Sequence, residues 1–290
     1  MDYNQKLSEY KSYFENQLNN FLDEYLEEDN ALSSVVSYSI IDAGKRIRPI
    51  LCFAVSEMLG GSVETVRAYA LAIEMIHSYS LVHDDLPCMD DDDYRRGKLS
   101  THKKFGEGLG VLAGDALLNL AFEVVLNSDN LSISDLDALK ILAESSGIKG
   151  MIKGQVLDLK SNITVQPSEK LLNEIAYNKT AKLIMAPILI ASILNGKKNY
   201  EKLKQFGYNL GVLFQVIDDI MDFESDFTTM GKTPGKDVKT NKLTSVTLLS
   251  LNQAKVNAQK FYDECIKILK TIPNSEFLIN FTDFLYNRRS

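Results

Sequence analysis

Apolar residues recur at helical spacing along nearly all of this 290-residue chain, and sustained alternation of apolar and polar residues is almost absent. Ordinary domains contain strands as well as helices, so their absence here predicts an all-α protein. With 45% hydrophobic residues and only six prolines, the chain can bury a large core. No linker divides it, and we expect one helical-bundle domain over residues 1–290. The predicted helices span residues 4–27, 31–43, 47–59, 63–86, 107–127, 134–158, 168–195, 199–224, 242–270 and 275–287.

Composition excludes several classes of protein. The net charge of -7 argues against a nucleic-acid partner, because binding to a phosphate backbone requires a basic face. Three cysteines without repeated spacing suit a reducing compartment, and the acidic N-terminal helix does not resemble a targeting signal. The longest apolar run, Leu183 to Leu194, is too short to span a bilayer and predicts a buried core helix. We therefore expect a cytoplasmic protein with no transmembrane segment.

Six carboxylates lie within the ten residues from Asp84 to Asp93, directly after an apolar helix. Such a cluster repels itself unless a cation neutralises it. Because Mg²⁺ takes few carboxylates and completes its coordination with water and phosphate oxygens, this first acidic motif predicts a phosphorylated ligand. Pro87 disfavours helix at Leu86, so the following turn should fold back towards Asp84. A calcium-binding EF-hand loop is excluded, because Arg95 occupies its obligatory glycine position.

A second acidic motif, Asp218-Asp219-Ile220-Met221-Asp222, closes another apolar helix. Asp218 and Asp222 are four residues apart and share one helix face, with Asp219 on the flank. An exposed acidic stripe would give the same triplet. The apolar surroundings and the existence of the first motif favour a second metal-binding position instead.

Basic residues stand where a diphosphate would need them, although each cluster alone could be a solvated surface. His77 lies seven residues before Asp84, on about the same helix face. Gly231-Lys232-Thr233 has no preceding strand and so is not a phosphate-binding P-loop. The basic clusters are Lys45-Arg46-Ile47-Arg48, Arg95-Arg96, Lys179-Thr180, Lys232 to Lys236, and Lys242.

Together these motifs resemble the polyprenyl synthases, specifically the short-chain trans-isoprenyl diphosphate synthases of the bacterial farnesyl type. The likeness covers nearly the whole chain. It implies an isoprenoid synthase fold, which is an all-α bundle around a central cavity, and usually a homodimer. Its further matching elements are Gly44-Lys45-Arg46-x-Arg48-Pro49, Ala113-Gly114-Asp115, Gly154-Gln155 with Asp158, Lys179-Thr180, Phe214-Gln215 and Gly235-Lys236-Asp237.

The resemblance also implies a role for each site residue. Asp84 and Asp90 would hold two Mg²⁺ ions and Asp218 a third, with Mn²⁺ as an expected substitute. The allylic diphosphate substrate would be bound by Arg95, Lys179, Thr180, Gln215, Lys232 and Lys242. Isopentenyl diphosphate would be bound by Lys45, Arg48, His77 and Arg96. Of these residues, the catalytic ones would be Asp84, Asp90, Asp218, Lys179 and Arg95.

Tyr79 lies five residues before Asp84, about 7.5 Å along the helix axis at the usual rise. Its ring could floor the cavity, and the family's farnesyl-forming bacterial members carry an aromatic residue here, so we expect a fifteen-carbon product. A geranylgeranyl diphosphate synthase, a class I terpene cyclase and a non-catalytic prenyl-diphosphate-binding subunit remain alternatives. Ala181 and Pro234 depart from the family pattern in ways that bear on loop motion and rate.

Overall fold

The computed structural model describes residues 2–27, 30–41, 44–129, 131–161, 166–224 and 243–288. Within these ranges the chain is almost entirely helical, as predicted. In chain order the elements are α1 (Tyr3–Tyr25), α2 (Ala31–Ile40), α3 (Ile47–Met58), a 3₁₀ turn (Glu64–Val66), α4 (Arg67–Asp84), β1 (Tyr94–Arg95), β2 (Lys98–Leu99), α5 (Thr101–Phe105), α6 (Glu107–Leu126), α7 (Ile133–Ser146), α8 (Met151–Ser161), α9 (Glu169–Ile175), a π-helical segment (Ala176–Ala181), α10 (Lys182–Leu194), α11 (Tyr200–Glu224), α12 (Ser245–Leu249), α13 (Leu251–Leu269) and α14 (Glu276–Asn287).

Two of the predicted helices are broken. The helix predicted over 134–158 ends at Ser146 and restarts at Met151, because a tight turn at Gly150 brings its backbone against the carbonyls of the preceding helix. The helix predicted over 242–270 is interrupted at Ser250, which has a φ of +83°. A left-handed residue of this kind cannot continue a helix. Ser250 instead accepts a hydrogen bond from the Gln253 amide and caps α13.

A short hairpin and α5 were not predicted. Strands β1 and β2 pair antiparallel through Arg95 with Lys98, and the connecting residues Arg96 and Gly97 have φ values of +54° and +77°. Two consecutive left-handed residues form the turn that joins hairpin strands most compactly. The first acidic motif therefore ends in a rigid hairpin, which sets the direction of two arginine side chains.

The core lies between α4, α6, α10 and α11. Helix α10 packs against α3, α7 and α11, and its residues from Leu183 to Ile193 are all buried. This confirms the prediction that the apolar run is a core helix. A connected set of buried apolar side chains extends from Tyr10 in α1 to Leu285 in α14. Helices α4 and α11 carry the two acidic motifs at their C-terminal ends.

Helix α6 is, among the described helices, the one long and apolar enough to cross a membrane. It packs along α4, and 44% of its most apolar stretch is buried inside the protein. A core helix meets the same length and composition criteria without crossing a bilayer. Leu112 and Leu126 of this helix are exposed.

Arg46 joins three elements from a fully buried position. Its guanidinium donates to both carboxylate oxygens of Glu15 at 2.8 and 3.0 Å, to Glu74 at 2.9 Å and to the carbonyl of Ile40 at 2.8 Å. Burial alone would lower the pKa of Arg46, but the two carboxylates raise it above its ordinary value. The buried charge is therefore neutralised by α1 and α4, and it fixes the loop before α3.

Replacing Arg46 by alanine should leave two carboxylates facing each other without their common cation. We expect the free energy of unfolding to fall by about 3–5 kcal/mol, the usual loss when one partner of a buried pair is removed. Urea denaturation measures the change. The control is Lys267→Ala, which removes an exposed pair with Glu264 and should leave the unfolding midpoint in place. Equal midpoints for the two variants would contradict this role of Arg46.

Candidate functional site

A cavity of about 1080 Å³ opens between the C-terminal ends of α4 and α11. Every residue predicted for the site that the structure describes lines this cavity, while Lys232 and Lys242 lie outside the described residues. Apolar side chains such as Leu118, Met151 and Val156 line part of the wall. The predicted lining residues are Lys45, Arg48, His77, Tyr79, Asp84, Asp90, Arg95, Arg96, Lys179, Thr180, Gln215 and Asp218.

The first acidic motif folds back on itself at the end of α4. The amide of Asp90 donates to the carbonyl of Asp84 at 2.8 Å, and the amide of Asp92 donates to the carbonyl of Asp85 at 3.2 Å. The helix ends before Pro87, as predicted. This turn returns Asp90 to the neighbourhood of Asp84, so both carboxylates line the cavity.

Asp85 is buried and holds Arg95. The Arg95 Nε donates to the two Asp85 oxygens at 3.0 and 3.2 Å, and its Nη2 contacts both Asp85 and Asp92. Burial raises the pKa of Asp85, while the Arg95 hydrogen bond and charge oppose that rise. These carboxylates fix an arginine at the cavity wall.

The wall formed by α3, α4 and the hairpin carries clustered positive charge. Arg96 lies against Gly44, where a Cβ would approach the Arg96 guanidinium carbon to 2.7 Å, and its Nη2 is 3.3 Å from the His77 Nε2. Burial, followed by the charges of Arg48 and Arg96, lowers the pKa of His77 well below its ordinary value. His77 is therefore neutral at pH 7 and accepts the hydrogen bond from Arg96.

Arg48 is buried in the same wall, and its Nε has no hydrogen-bond partner among the described residues. Burial lowers the pKa of Arg48 to about 10, with a further decrease from Arg96 and an opposing effect of Glu74. A buried guanidinium with an unused donor is costly unless an anion binds it. This wall is therefore built to receive an anionic group.

The opposite wall is formed by α8, the π-helical segment and α11. Lys179 Nζ lies 2.6 Å from the Asp158 carboxylate, and Thr180 Oγ1 donates to Gln215 Oε1 at 2.5 Å. Single π-helical turns occur frequently at functional sites. In this segment the consecutive residues Lys179 and Thr180 both line the cavity. Gly154 of α8 touches the backbone of Lys179, so the two elements are in close contact.

In the second acidic motif the three carboxylates differ in their surroundings. Asp218 lines the cavity half-exposed, whereas Asp219 is buried and accepts hydrogen bonds from the Ser245 amide at 2.7 Å and from Gln215 Nε2 at 2.8 Å. Burial raises the pKa of Asp219 to about 6, against the lowering effect of these donors. Asp222 also lines the cavity and is buried.

Two further residues of the cavity were missed from the sequence. Arg288, just beyond α14, pairs with Asp218, donates to the Phe214 carbonyl at 3.1 Å and stacks on the Phe214 ring at 4.0 Å. Gln155 of α8 donates to the Asp84 carboxylate. Gln155 belongs to the matching element Gly154-Gln155, for which the resemblance implied no individual role. Arg288 gives no such signal, because a basic residue after the last helix is usually solvated.

The chemistry of this donor set fits a hard divalent cation. Asp84, Asp90 and Asp218 offer carboxylate oxygens to one cavity, and Mg²⁺ prefers oxygen ligands. In this structure Asp218 is paired with Arg288. A separate group at metal-ligand spacing, Asp91 with Asp93 and His102, lies on the outer side of the motif, where Lys103 pairs with Asp93 at 2.8 Å.

Comparisons with known proteins agree with this geometry. A family model described as polyprenyl synthetase matches residues 29–276. A chloroplastic geranylgeranyl pyrophosphate synthase of Capsicum annuum is 44% identical over 244 residues, and the match spans 82% of this chain but 66% of the relative, slightly under two thirds of its length. The farnesyl diphosphate synthase of Micrococcus luteus is 41% identical over 254 residues, 87% of each chain. A geranyltransferase from Helicobacter pylori, crystallised with magnesium and isoprenyl diphosphate, has a TM-score of 0.82 and 34% identity, covering 95% of this chain and 96% of that chain.

The contact between α8 and the π-helical segment can be tested at Gly154. In Gly154→Ala the new Cβ would lie 2.6 Å from the Lys179 Cβ and closer still to its backbone. We expect a loss of about 1–3 kcal/mol in the free energy of unfolding, as for other overpacked sites. Gly108→Ala in α6 is the matched control, since its Cβ meets nothing within 4 Å, and it should gain about 0.5–1 kcal/mol. Similar unfolding curves for both variants would rule out the close contact.

Proposed function

We propose that this chain, which belongs to the polyprenyl synthetase family and is a prenyltransferase, condenses isopentenyl diphosphate head-to-tail with dimethylallyl or geranyl diphosphate. The products are (2E,6E)-farnesyl diphosphate and diphosphate. One observation carries the proposal. A single cavity combines two acidic motifs, a cluster of arginines and an apolar lining. Two diphosphates and a growing hydrocarbon chain require this combination.

The cationic side chains of the cavity fall into two sets that suit the two substrates. Arg95 and Lys179 are held by carboxylates on the side of the acidic motifs, where the allylic diphosphate would bind together with Thr180 and Gln215. Lys232 and Lys242 belong to the same proposed set. Isopentenyl diphosphate would be bound by Lys45, Arg48, His77 and Arg96. Its negative charge would stabilise the buried guanidinium of Arg48.

Magnesium fits Asp84, Asp90 and Asp218, and we propose three ions per site, with manganese able to substitute. When bound, the metal supplies positive charge that stabilises the departing diphosphate. Gln155 contacts Asp84 and Arg288 contacts Asp218, so both carboxylates already have donors that a metal would replace or join.

The chain's own residues account for the remaining steps. Arg95 and Lys179 stabilise charge on the allylic diphosphate as its bond between carbon and oxygen breaks. Arg48 and Arg96 hold the second substrate so that its double bond attacks the allylic cation. One proton then leaves the product, with the released diphosphate as its acceptor. The apolar lining excludes water, which would otherwise capture the cation.

Product length is proposed to depend on Tyr79, whose buried ring lines the cavity below the first acidic motif. A ring at this depth stops growth at fifteen carbons. Geranylgeranyl diphosphate synthase is the alternative, because relatives of both kinds match at similar identity. The second cationic wall disfavours a terpene cyclase, which binds one diphosphate, and two intact acidic motifs disfavour a non-catalytic subunit.

We further propose that residues 1–290 form one domain and that the chain acts as a cytoplasmic homodimer. The connected apolar core supports one domain. The exposed apolar side of α6, with Leu112 and Leu126, supports a subunit interface and suits an obligate dimer better than solvent. Cys88 is exposed and free, which suits a reducing compartment.

The decisive experiment incubates the pure protein with Mg²⁺, isopentenyl diphosphate and either dimethylallyl or geranyl diphosphate, and then sizes the products. Farnesyl diphosphate is expected from both starters. Release of no diphosphate would refute the enzymatic proposal. Cyclic products from an allylic diphosphate alone would indicate a cyclase.

Asp84→Ala should lower kcat by a factor of roughly 10²–10³ or more, because a group that stabilises the leaving diphosphate is lost. The fold should persist, which circular dichroism can verify. Asp263→Ala, which removes an exposed carboxylate on α13 bonded to Gln259, is the control and should retain full turnover. Activity of Asp84→Ala within a few-fold of the wild type would refute the metal assignment of this residue.

Tyr79→Ala should lengthen the product, because removing the ring deepens the apolar cavity. Chromatography of the dephosphorylated products measures the change, with twenty carbons and longer expected. If the protein is a geranylgeranyl diphosphate synthase with its stop elsewhere, the substitution will leave product length unchanged.

A further inference from the structure

The Tyr79 ring is held by packing and not by its hydroxyl group. The hydroxyl is buried and has no hydrogen-bond partner among the described residues. The ring meets the imidazole of His83 edge to face, with 5.8 Å between the ring centres. The two residues lie one turn apart on α4, and both line the cavity. The His83 ring is therefore one of the groups that pack directly against the tyrosine ring.

His83 is in turn fixed by α6. Its Nε2 lies 3.0 Å from the carbonyl oxygen of Val111. Because a carbonyl can only accept, Nε2 carries the hydrogen and donates. The imidazole crosses α6 at Gly114, where a Cβ would lie 2.8 Å from the His83 Cε1 and closer still to Nε2. Any side chain at residue 114 would displace the ring from this position.

We propose that His83 is a positioning residue for chain length: with Gly114 it fixes the Tyr79 ring and thereby the depth at which growth stops. The inference rests on the proposed function. His83 touches neither diphosphate in this role. Its neighbour Asp84 is a proposed metal ligand, so a purely electrostatic role of His83 would alter turnover and metal dependence without altering product length.

The first test compares product lengths of His83→Ala, His83→Phe and Tyr79→Ala. We expect His83→Ala to raise the ratio of longer to wild-type-length product by about tenfold, a discrimination typical of one or two methylene groups. His83→Phe, which retains a ring against Tyr79, should restore most of the wild-type length. Ser80→Ala is the matched control, because Ser80 lines the same cavity on α4 and donates only to the His77 carbonyl. It should leave product length unchanged.

The second test is independent of activity. Gly114→Ala should lower Tm through its clash with His83, and the double variant Gly114→Ala/His83→Ala should recover most of that loss, because the imidazole is gone. An additive loss in the double variant would refute the contact on which the inference depends.

The outcomes separate the two proposals. If Tyr79→Ala lengthens the product and His83→Ala does not, the inference is wrong while the proposed function stands. If neither variant lengthens the product, both the Tyr79 stop and the role of His83 are wrong. If the wild-type protein releases no diphosphate, the proposed function fails and so does the role in chain length, whatever the Tm values.

Discussion

The buried guanidinium of Arg46 is the interaction on which the cavity depends most. It binds Glu15 of α1, Glu74 of α4 and the end of α2, so these helices cannot separate without exposing or unpairing charge. The same loop places Lys45 and Arg48 along the cavity. Arg46 thus stabilises the fold, whereas Lys45 and Arg48 of the same segment line the cavity.

The cations of the cavity differ in whether a carboxylate is paired with them. Near the acidic motifs, cations have carboxylate partners, as Lys179 has Asp158 and Arg288 has Asp218. Beside Gly44 and the hairpin, the Nε donor of Arg48 is buried without a partner among the described residues, and burial followed by the charges of Arg48 and Arg96 lowers the pKa of His77. Under the proposed function, the paired cations would contact the allylic diphosphate with its metal, and Arg48 and His77 would contact isopentenyl diphosphate.

Helical periodicity predicted the all-α fold, and Pro87 predicted that the turn folds back towards Asp84. The resemblance to the polyprenyl synthases supplied most of the predicted residues that line the cavity. Local backbone events were harder to predict, because the left-handed residue at Ser250 and the turn at Gly150 leave the apolar pattern intact. Periodicity predicted Asp219 on the flank of Asp218, but it could not assign Asp219 to a hydrogen bond with α12. Arg288 could not be placed, since only the packing of α14 on α11 brings it to the cavity. Sequence patterns therefore predict the chemistry of the cavity better than its tertiary contacts.

The pairing of Arg288 with Asp218 has a consequence for biosynthesis. Asp84 leaves the ribosome about two hundred residues before Arg288, which at usual elongation rates is roughly 10–40 s earlier. For the first part of that interval the nascent chain carries the first acidic motif without α11, and until Arg288 follows it also lacks the arginine that pairs with Asp218. A growing chain therefore carries the first acidic motif before it carries the residues of α11 and the C-terminal segment that complete the cavity.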